Sequence, residues 1–382
     1  MKKILLILII LPLFVLGAFS FLFLREDPPL EEKFVQNVRE GTKLVQESDV
    51  QKVQEEEQSA TGSSGISVRS PGEKVLLDSP KHVYQSFNNC GPATLSMILS
   101  WYGVDASQAE IGDKMRPYQN PEGDNDDKTI FTHEFVDWAE EYGLGAVNRV
   151  NGDIEMLKKL TANGFPVVVK TWLYANDDIG HFRLVRGYND SAQKIIQDDS
   201  YQGPDRRISY YDFLLLWQPF NYNYIVVYQK EDEELLREIL GEEFREGAAW
   251  ENALRRAQKE AKLSPENVYP QFNLSTSSFH LGKYEQAVQA FEEVQEDLPR
   301  RMLWYQIEPI KAYTELGDYE KVFDITDEIL ENGNRAFSEL YQLRGEIYLE
   351  QGEEAKTREQ FELAVKYNEN WSKPKEYLRQ LN

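Results

Sequence analysis

Cys90 is the only cysteine among the 382 residues, and its sequence surroundings are those of a reactive thiol. It stands in the segment Asn88–Thr94, immediately before an apolar helical pattern. Backbone N–H groups at the start of a helix would face its sulfur and favour the thiolate, which is the nucleophilic form of cysteine. A lone thiol also cannot form a disulfide within the chain.

A histidine and two aspartates follow Cys90 in the order that thiol catalysis requires. His181 lies 91 residues later, at the start of a strand pattern, and Asp198 and Asp199 lie beyond it. A cysteine nucleophile needs a general base, and the base needs a group that orients it. The alternative for Cys90 is an inert buried thiol, because free cysteine also behaves as a small apolar side chain.

Three segments resemble the C39-like branch of the papain-fold cysteine peptidases. They are Tyr84–Thr94, which contains Cys90-Gly91-Pro92-Ala93, then Gly180–Tyr188, and finally Gln197–Gly203. The resemblance covers about residues 83–228 and implies a papain-like fold with peptidase activity.

The resemblance also implies a role for each matching residue. Cys90 would be the nucleophile, and His181 would form a thiolate–imidazolium pair with it. Gln85 would build the oxyanion hole together with the Cys90 backbone N–H. Asp199 is the favoured orienting carboxylate, and Asp198 is the alternative, since neighbouring residues of a strand point to opposite faces and only one can reach the imidazole. Two departures from the family pattern are the missing proline after Asp199 and a Gln-to-Cys spacing of five.

Helical patterns come first in the middle block, and strand patterns follow them. This order predicts an α+β domain over residues 76–232. The predicted helices begin at Pro92, which is followed by an apolar face up to Tyr102, and continue with Thr132–Tyr142 and Ile154–Asn163. The predicted strands are Pro166–Trp172, Phe182–Tyr188, Lys194–Gln197 and Tyr224–Tyr228.

The C-terminal block, residues 233–382, is helical and repetitive. Gly282, Gly317 and Gly352 recur every 35 residues, which resembles the tetratricopeptide repeat, a helix–turn–helix unit of about 34 residues. An array of such repeats predicts a surface for a protein or peptide partner, and 31 acidic against 19 basic residues favour a basic one. Bracing the catalytic block is the alternative role.

The N-terminus predicts a membrane anchor. Ile4 to Leu24 form an apolar run of 21 residues after two lysines, long enough to cross a bilayer core of about 30 Å. We therefore expect an uncleaved signal anchor in residues 1–25, and a cleaved signal peptide is the alternative. Residues 26–75 read as a stalk and flexible linker. The lysines predict an extracytoplasmic globular part at the cell membrane.

Composition excludes some functions. The net charge of −23 disfavours nucleic acid as a partner. The acidic segment Glu122–Asp127 lacks the ligand spacing of an EF-hand, so a solvated loop is favoured over a metal site. We expect neither metal nor cofactor.

These observations together predict a membrane-anchored, extracytoplasmic thiol hydrolase, most simply a cysteine peptidase, whose repeats recruit a substrate or partner. The alternative is a non-catalytic membrane-anchored adaptor that uses both domains for protein binding. We also expect the catalytic block to fold without residues 240–382, because repeat arrays stabilise themselves through neighbour contacts.

Overall fold

The structure, a computed structural model, describes residues 67–118 and 130–381. The predicted anchor, most of the stalk and the acidic segment 122–127 lie outside these residues. Within the described ranges, no helix combines the length and apolar character needed to cross a membrane.

Three of the five helices in the first block, residues 76–232, were expected from the sequence. Glycines with positive φ, Gly103 and Gly143, end the first and third helices of the block. The second is capped at its N-terminus by Ser107, whose side-chain oxygen accepts a hydrogen bond from the Glu110 N–H. The helices of this block are α1 (Cys90–Trp101), α2 (Gln108–Met115), α3 (Glu134–Glu141), α4 (Ile154–Ala162) and α5 (Tyr210–Trp217).

The strands form an antiparallel sheet in the order β2-β7-β3-β4-β5-β6, with β1 paired to β4. The pairing of β1 with β4 means that the end of the segment assigned to the linker packs on the domain. The strands are β1 (Lys74–Leu76), β2 (Gly145–Arg149), β3 (Val167–Trp172), β4 (Gly180–Asn189), β5 (Lys194–Asp199), β6 (Gly203–Ser209) and β7 (Tyr224–Tyr228).

The sheet is covered on both faces, which explains the continuous apolar run in β3. Val168 packs on one side with Leu184 and the helices α1–α3. Val167 and Val169 pack on the other side with Phe213 of α5. Successive side chains of a strand point to opposite faces, so a strand buried on both faces has no polar positions in alternation. The expected α+β domain is therefore present.

The C-terminal block is built from helical hairpins. Gly282, Gly317 and Gly352 adopt φ of +69°, +74° and +75° at the turns between paired helices, a conformation that favours glycine. Gly345 lets two helices cross closely, because a Cβ there would lie 2.5 Å from the Phe361 ring. The helices are α6 (Glu233–Leu240), α7 (Glu246–Leu263), α8 (Val268–His280), α9 (Tyr284–Glu292), α10 (Met302–Tyr305), α11 (Glu308–Glu315), α12 (Tyr319–Glu331), α13 (Ser338–Glu350), α14 (Glu354–Tyr367) and α15 (Ser372–Gln380).

The two blocks share one hydrophobic cluster, in addition to two clusters that lie mainly within the first block. Trp172 and Phe220 of the catalytic block are buried in the same cluster as Phe272 and Trp304 of the helical block. The indole N–H of Trp172 also donates to the Tyr269 hydroxyl at 3.1 Å. Removal of the helical block would therefore expose part of this shared cluster, and the expectation that the first block folds without residues 240–382 stays a prediction.

Candidate active site

Cys90 is the first residue of α1, as its sequence position predicted. The loop that leads into it is held by Gln108, a residue that the sequence analysis did not select. The Gln108 amide accepts a hydrogen bond from the Ser86 N–H at 2.9 Å and donates to the Tyr84 carbonyl at 2.7 Å. Asn88 takes a left-handed φ of 56° just before the helix. These contacts fix the approach of the chain to the thiol.

His181 lies between Cys90 and Asp199. It is the second residue of β4, is 2% exposed, and pairs with Thr171 of β3 in the sheet register. Its Nε2 lies 3.0 Å from Asp199 Oδ1, and the ring also interacts with the Cys90 thiol, whose pKa it lowers. Since Nε2 faces the carboxylate, Nδ1 is the nitrogen left for the sulfur. The structure therefore brings Cys90, His181 and Asp199 together.

Asp199 is held as a buried carboxylate at the end of β5. Its Oδ1 accepts the backbone N–H groups of Tyr201 and Gln202, each at 2.8 Å, and its Oδ2 accepts Nε of Arg183 at 2.9 Å. Burial by itself would raise the pKa of Asp199, but the hydrogen bond and charge of His181, together with Arg183, hold that pKa below its usual range. Asp199 thus stays ionised and can orient the imidazole.

Asp198, the alternative orienting residue, points elsewhere. Its Oδ2 lies 2.8 Å from Nε of Arg186, and its Oδ1 accepts the Asp205 N–H at 2.9 Å. The strand pleat separates the two neighbouring carboxylates, so Asp198 forms a structural ion pair while Asp199 meets His181.

Arg183 is a second residue that the sequence analysis did not select. It is 2% exposed and lies two positions after His181, on the same face of β4. Besides Asp199, its guanidinium contacts Thr171 Oγ1 and the carbonyls of Trp172 and Leu173. A charged residue inside an otherwise apolar strand pattern was the signal that could have revealed it, because a buried arginine requires a partner.

Gln85 lies beside the loop that follows Asp199. The Ser200 hydroxyl donates to Gln85 Oε1 at 2.8 Å, and the Gln85 N–H donates to the Ser200 carbonyl at 2.9 Å. These contacts leave the amide NH₂ of Gln85 as its donor group. Among the described residues, both of these hydrogen bonds of Gln85 are to Ser200, and neither involves Cys90.

The surroundings of Cys90 favour the thiolate. Burial raises the pKa of the thiol, but the hydrogen bond and charge of His181 outweigh it and lower that pKa from 9.0 to about 7. The Phe182 backbone and the Lys170 ammonium act in the same direction. The pKa of His181 is raised in turn: burial lowers it, while its bonds to Asp199 and Cys90 raise it by a larger amount. A thiolate and an imidazolium therefore stabilise each other near neutral pH.

A residue of the helical block borders the site. The Tyr305 ring lies against Gly180, the neighbour of His181, so closely that a Cβ at Gly180 would be 2.9 Å from the ring. The buried Lys170 ammonium lies 4.8 Å from the same ring and 4.5 Å from that of Phe182, and it donates to the Ile130 carbonyl at 2.9 Å. Tyr305 of the helical block thus packs against the residue that directly precedes His181.

The arrangement can carry out nucleophilic acyl chemistry. It brings a nucleophile, a base and an orienting carboxylate together in the order Cys90, His181, Asp199, which is the arrangement of a catalytic triad. Separately, the described residues contain no group of three or more His, Cys, Asp or Glu side chains that could hold a metal ion.

Comparison with known proteins agrees with the resemblance seen in the motifs. Residues 76–225 match the model of the Peptidase_C39 like family, and residues 338–370 match a tetratricopeptide repeat. No curated protein gives a significant match to the chain.

Several solved structures are similar to parts of the chain. A C39-like peptidase from Bacillus anthracis is 16% identical, with 42% of this chain and 99% of that chain covered and a TM-score of 0.36. The peptidase domain of Streptococcus ComA, a bi-functional ABC transporter involved in quorum sensing, is 16% identical, with coverages of 42% and 100% and a TM-score of 0.31. MamA from Desulfovibrio magneticus is 21% identical, with coverages of 40% and 84% and a TM-score of 0.33.

Proposed function

We propose that this C39-like domain with its tetratricopeptide repeats is a cysteine peptidase that acts by acyl transfer. The observation that carries the proposal is the placement of His181, whose ring interacts with the Cys90 thiol and whose Nε2 lies 3.0 Å from Asp199 Oδ1. A buried structural thiol needs no such partner, whereas a nucleophile needs a base that is itself oriented.

The mechanism follows from the three side chains. The Cys90 thiolate attacks the carbonyl carbon of a peptide bond, and the His181 imidazolium gives its proton to the leaving amine. This leaves an acyl group on Cys90 as a thioester. His181, now neutral, takes a proton from water as the water attacks the thioester, and the acid product and the thiolate are released. Asp199 remains ionised throughout and holds the imidazole in the required tautomer.

The oxyanion that forms during the attack needs hydrogen-bond donors. The Cys90 backbone N–H at the start of α1 is one, and the free amide NH₂ of Gln85 is the other that we propose. An amine in place of water would give transpeptidation from the same thioester, so the triad defines acyl transfer and the acceptor defines the product.

We further propose that the enzyme is anchored in the cell membrane with its globular part outside the cytoplasm. The apolar run Ile4–Leu24 after Lys2 and Lys3 supports this topology. N-terminal sequencing of the membrane-extracted protein tests it, and a mature start inside or just after the run would contradict an uncleaved anchor.

The repeats are proposed to bind a protein or peptide partner in addition to bracing the catalytic block. The tetratricopeptide match at residues 338–370 supports this role. Pull-down with the full chain and with a variant altered only on the exposed repeat surface tests it, and equal capture by both would contradict it.

Hydrolysis of a peptide library by the full-length protein, read by mass spectrometry, tests the enzymatic proposal. We expect discrete cleavage products that fall about 10³-fold or more in rate in Cys90→Ala. The matched control is Gly72→Ala, where an added Cβ meets no atom within 4 Å. Absence of Cys90-dependent cleavage across the library would favour the non-catalytic adaptor instead.

A further inference from the structure

A buried lysine lies beside the chain neighbours of both Cys90 and His181. Lys170 of β3 is 3% exposed and lies opposite Phe182 of β4 in the strand register, so the two side chains share the face of the sheet that packs on α1. Phe182 directly follows His181, and Cys90 is the first residue of α1. The fold therefore brings a cation to the start of the helix that carries the nucleophile.

The ammonium of Lys170 binds a residue that packs beside Cys90. Its Nζ donates to the Ile130 carbonyl oxygen at 2.9 Å. The Ile130 side chain packs on the backbone of Gly91, because a Cβ at Gly91 would lie 2.8 Å from Ile130 Cδ1. Since Gly91 directly follows Cys90, Ile130 alone connects the ammonium to the first turn of α1.

Three aromatic rings also contact this ammonium. Nζ lies 4.5 Å from the ring centroid of Phe182, 4.8 Å from that of Tyr305 and 5.8 Å from that of Phe220. Each distance is within the range of about 6 Å in which the face of a ring attracts a cation. Tyr305 belongs to the helical block and packs on Gly180, which directly precedes His181. The cation is thus held by residues next to both members of the Cys90–His181 pair.

The position of this charge affects the sulfur. An ammonium is strongly hydrated, so its burial costs free energy that an apolar side chain of similar length would not cost. A nearby cation stabilises a thiolate, and it does so most strongly where water is excluded. Lys170 acts in this direction, because its charge lowers the pKa of the Cys90 thiol in addition to the larger effect of His181.

We propose that Lys170 is a positioning residue of the active site, whose ammonium stabilises the Cys90 thiolate through space while Ile130 and Tyr305 hold it in place. Lys170 takes no proton from the thiol in this role, so His181 remains the base. Without the ammonium the Cys90–His181 pair would still form, but the thiolate would be populated only at higher pH. The importance of Lys170 for catalysis rests on the proposed peptidase function, whereas its effect on the thiol does not.

The pH dependence of Cys90 alkylation by iodoacetamide tests this role in the full chain. Lys170→Gln keeps an N–H donor for the Ile130 carbonyl but removes the charge. We expect its inflection to lie at least about 0.5 pH unit above the wild-type value, and its alkylation rate at pH 6 to fall about threefold. Lys170→Arg keeps the charge and should retain the wild-type inflection.

A second buried lysine provides the matched control. Lys158 is 8% exposed and forms ion pairs with Glu155 and Asp190. Lys158→Gln should leave the inflection of Cys90 unchanged. The proposal would be overturned by a wild-type inflection in Lys170→Gln, or by an equal rise in Lys170→Gln and Lys158→Gln. An equal rise in Lys170→Gln and Lys170→Arg would also overturn it, since packing and not charge would then be the cause.

A measurement without a change at Lys170 covers the case in which Lys170→Gln does not fold. In the wild type, the Nζ resonance of Lys170 should shift with an inflection near pH 7, where the Cys90 thiol ionises, and this inflection should be absent in Cys90→Ala. The same profile in both proteins would overturn the proposal. Because alkylation and NMR report on the thiol and not on peptide cleavage, a chain that shows the Lys170 effect but cleaves no peptide would refute the proposed function alone.

Discussion

At the scale of single residues, two neighbouring aspartates differ in the side chains that their carboxylates contact. Asp198 and Asp199 are both fully buried, and each meets an arginine, but only Asp199 also meets His181. The two carboxylates have different partners because adjacent side chains of a β-strand point to opposite faces of the sheet. The pair therefore offers a matched test of the orienting carboxylate.

We predict that Asp199→Asn and Asp198→Asn both lower stability but change catalysis differently. Each leaves a buried arginine with less compensation, and breaking a buried pair costs about 3–5 kcal/mol. The loss should be smaller for Asp198→Asn, because Arg186 keeps its contact with Asp205.

The pH dependence of the reaction distinguishes the two variants. Burial lowers the pKa of His181 and Asp199 helps to raise it, so removing the Asp199 charge should lower that pKa. The imidazolium would then be lost at lower pH, and the alkaline limb of the pH–rate profile should move to lower pH in Asp199→Asn only. The same shift in Asp198→Asn would contradict the assignment.

At the scale of elements, the active site depends on a close approach between β4 and α10. Gly180 begins β4 directly before His181, and the Tyr305 ring occupies the space where a larger side chain would stand. This contact joins the strand that carries the base to the helical block.

Gly180→Ala is predicted to lower the free energy of unfolding by about 1–3 kcal/mol, because the new methyl group overpacks against the Tyr305 ring. Thermal unfolding measures this loss, and Tyr305→Ala in the same chain should relieve part of it by making room. The control Gly72→Ala should change stability by no more than about 0.5 kcal/mol. Equal losses of unfolding free energy in Gly180→Ala and Gly72→Ala would contradict the close contact between Gly180 and Tyr305.

Sequence patterns could predict the elements that carry the triad, because these have strong local signals. The helix after Cys90 has an apolar face that ends at Gly103, and β3 begins with the apolar run Val167–Val169. The elements β1, β2, β6, α2 and α5 were not predicted. Strand β6 is largely exposed and rich in charge, so neither its hydrophobic pattern nor its propensity marks it.

The three residues proposed for catalysis could be predicted from the sequence, but the residues that position them could not. Spacing and residue type suggested Cys90, His181 and Asp199. Gln108, Arg183 and Tyr305 act through tertiary contacts with residues far away in sequence, and no local pattern encodes such contacts. The choice between Asp198 and Asp199 likewise depended on strand register, which a single sequence specifies poorly.

At the scale of the whole molecule, the helical block packs against the block that carries the candidate site as well as following it in sequence. The shared core buries Phe131, Trp172, Leu216 and Phe220 of the catalytic block against the helical block. Arg301 of the helical block also forms an ion pair with Asp178, which lies just before Gly180. The bracing role that the sequence left as an alternative is thus supported by these contacts.

Deletion of residues 240–382 is predicted to unfold or aggregate the catalytic block. Exposure of each large apolar side chain costs about 1.5–3 kcal/mol, and four of them together are comparable with the total stability of a domain, about 5–15 kcal/mol. Circular dichroism and gel filtration measure the result, and co-expression of the two pieces should restore a folded complex. A soluble truncated protein with an unchanged unfolding temperature would show that the shared core contributes little.

The measurement that tests the central claim most directly is the pH dependence of Cys90 alkylation by iodoacetamide, in the wild type and in His181→Ala. Cys90 is the only cysteine, so the reaction reports on this thiol alone. Burial raises the pKa of Cys90, but His181 lowers it by a larger amount, so that the net pKa is about 7, and we expect the wild-type rate to rise with an inflection near pH 7. In folded His181→Ala the inflection should move to about 9 or above, and the rate at pH 7 should fall at least about tenfold. Coincident inflections in the two proteins would contradict a catalytic Cys90–His181 pair.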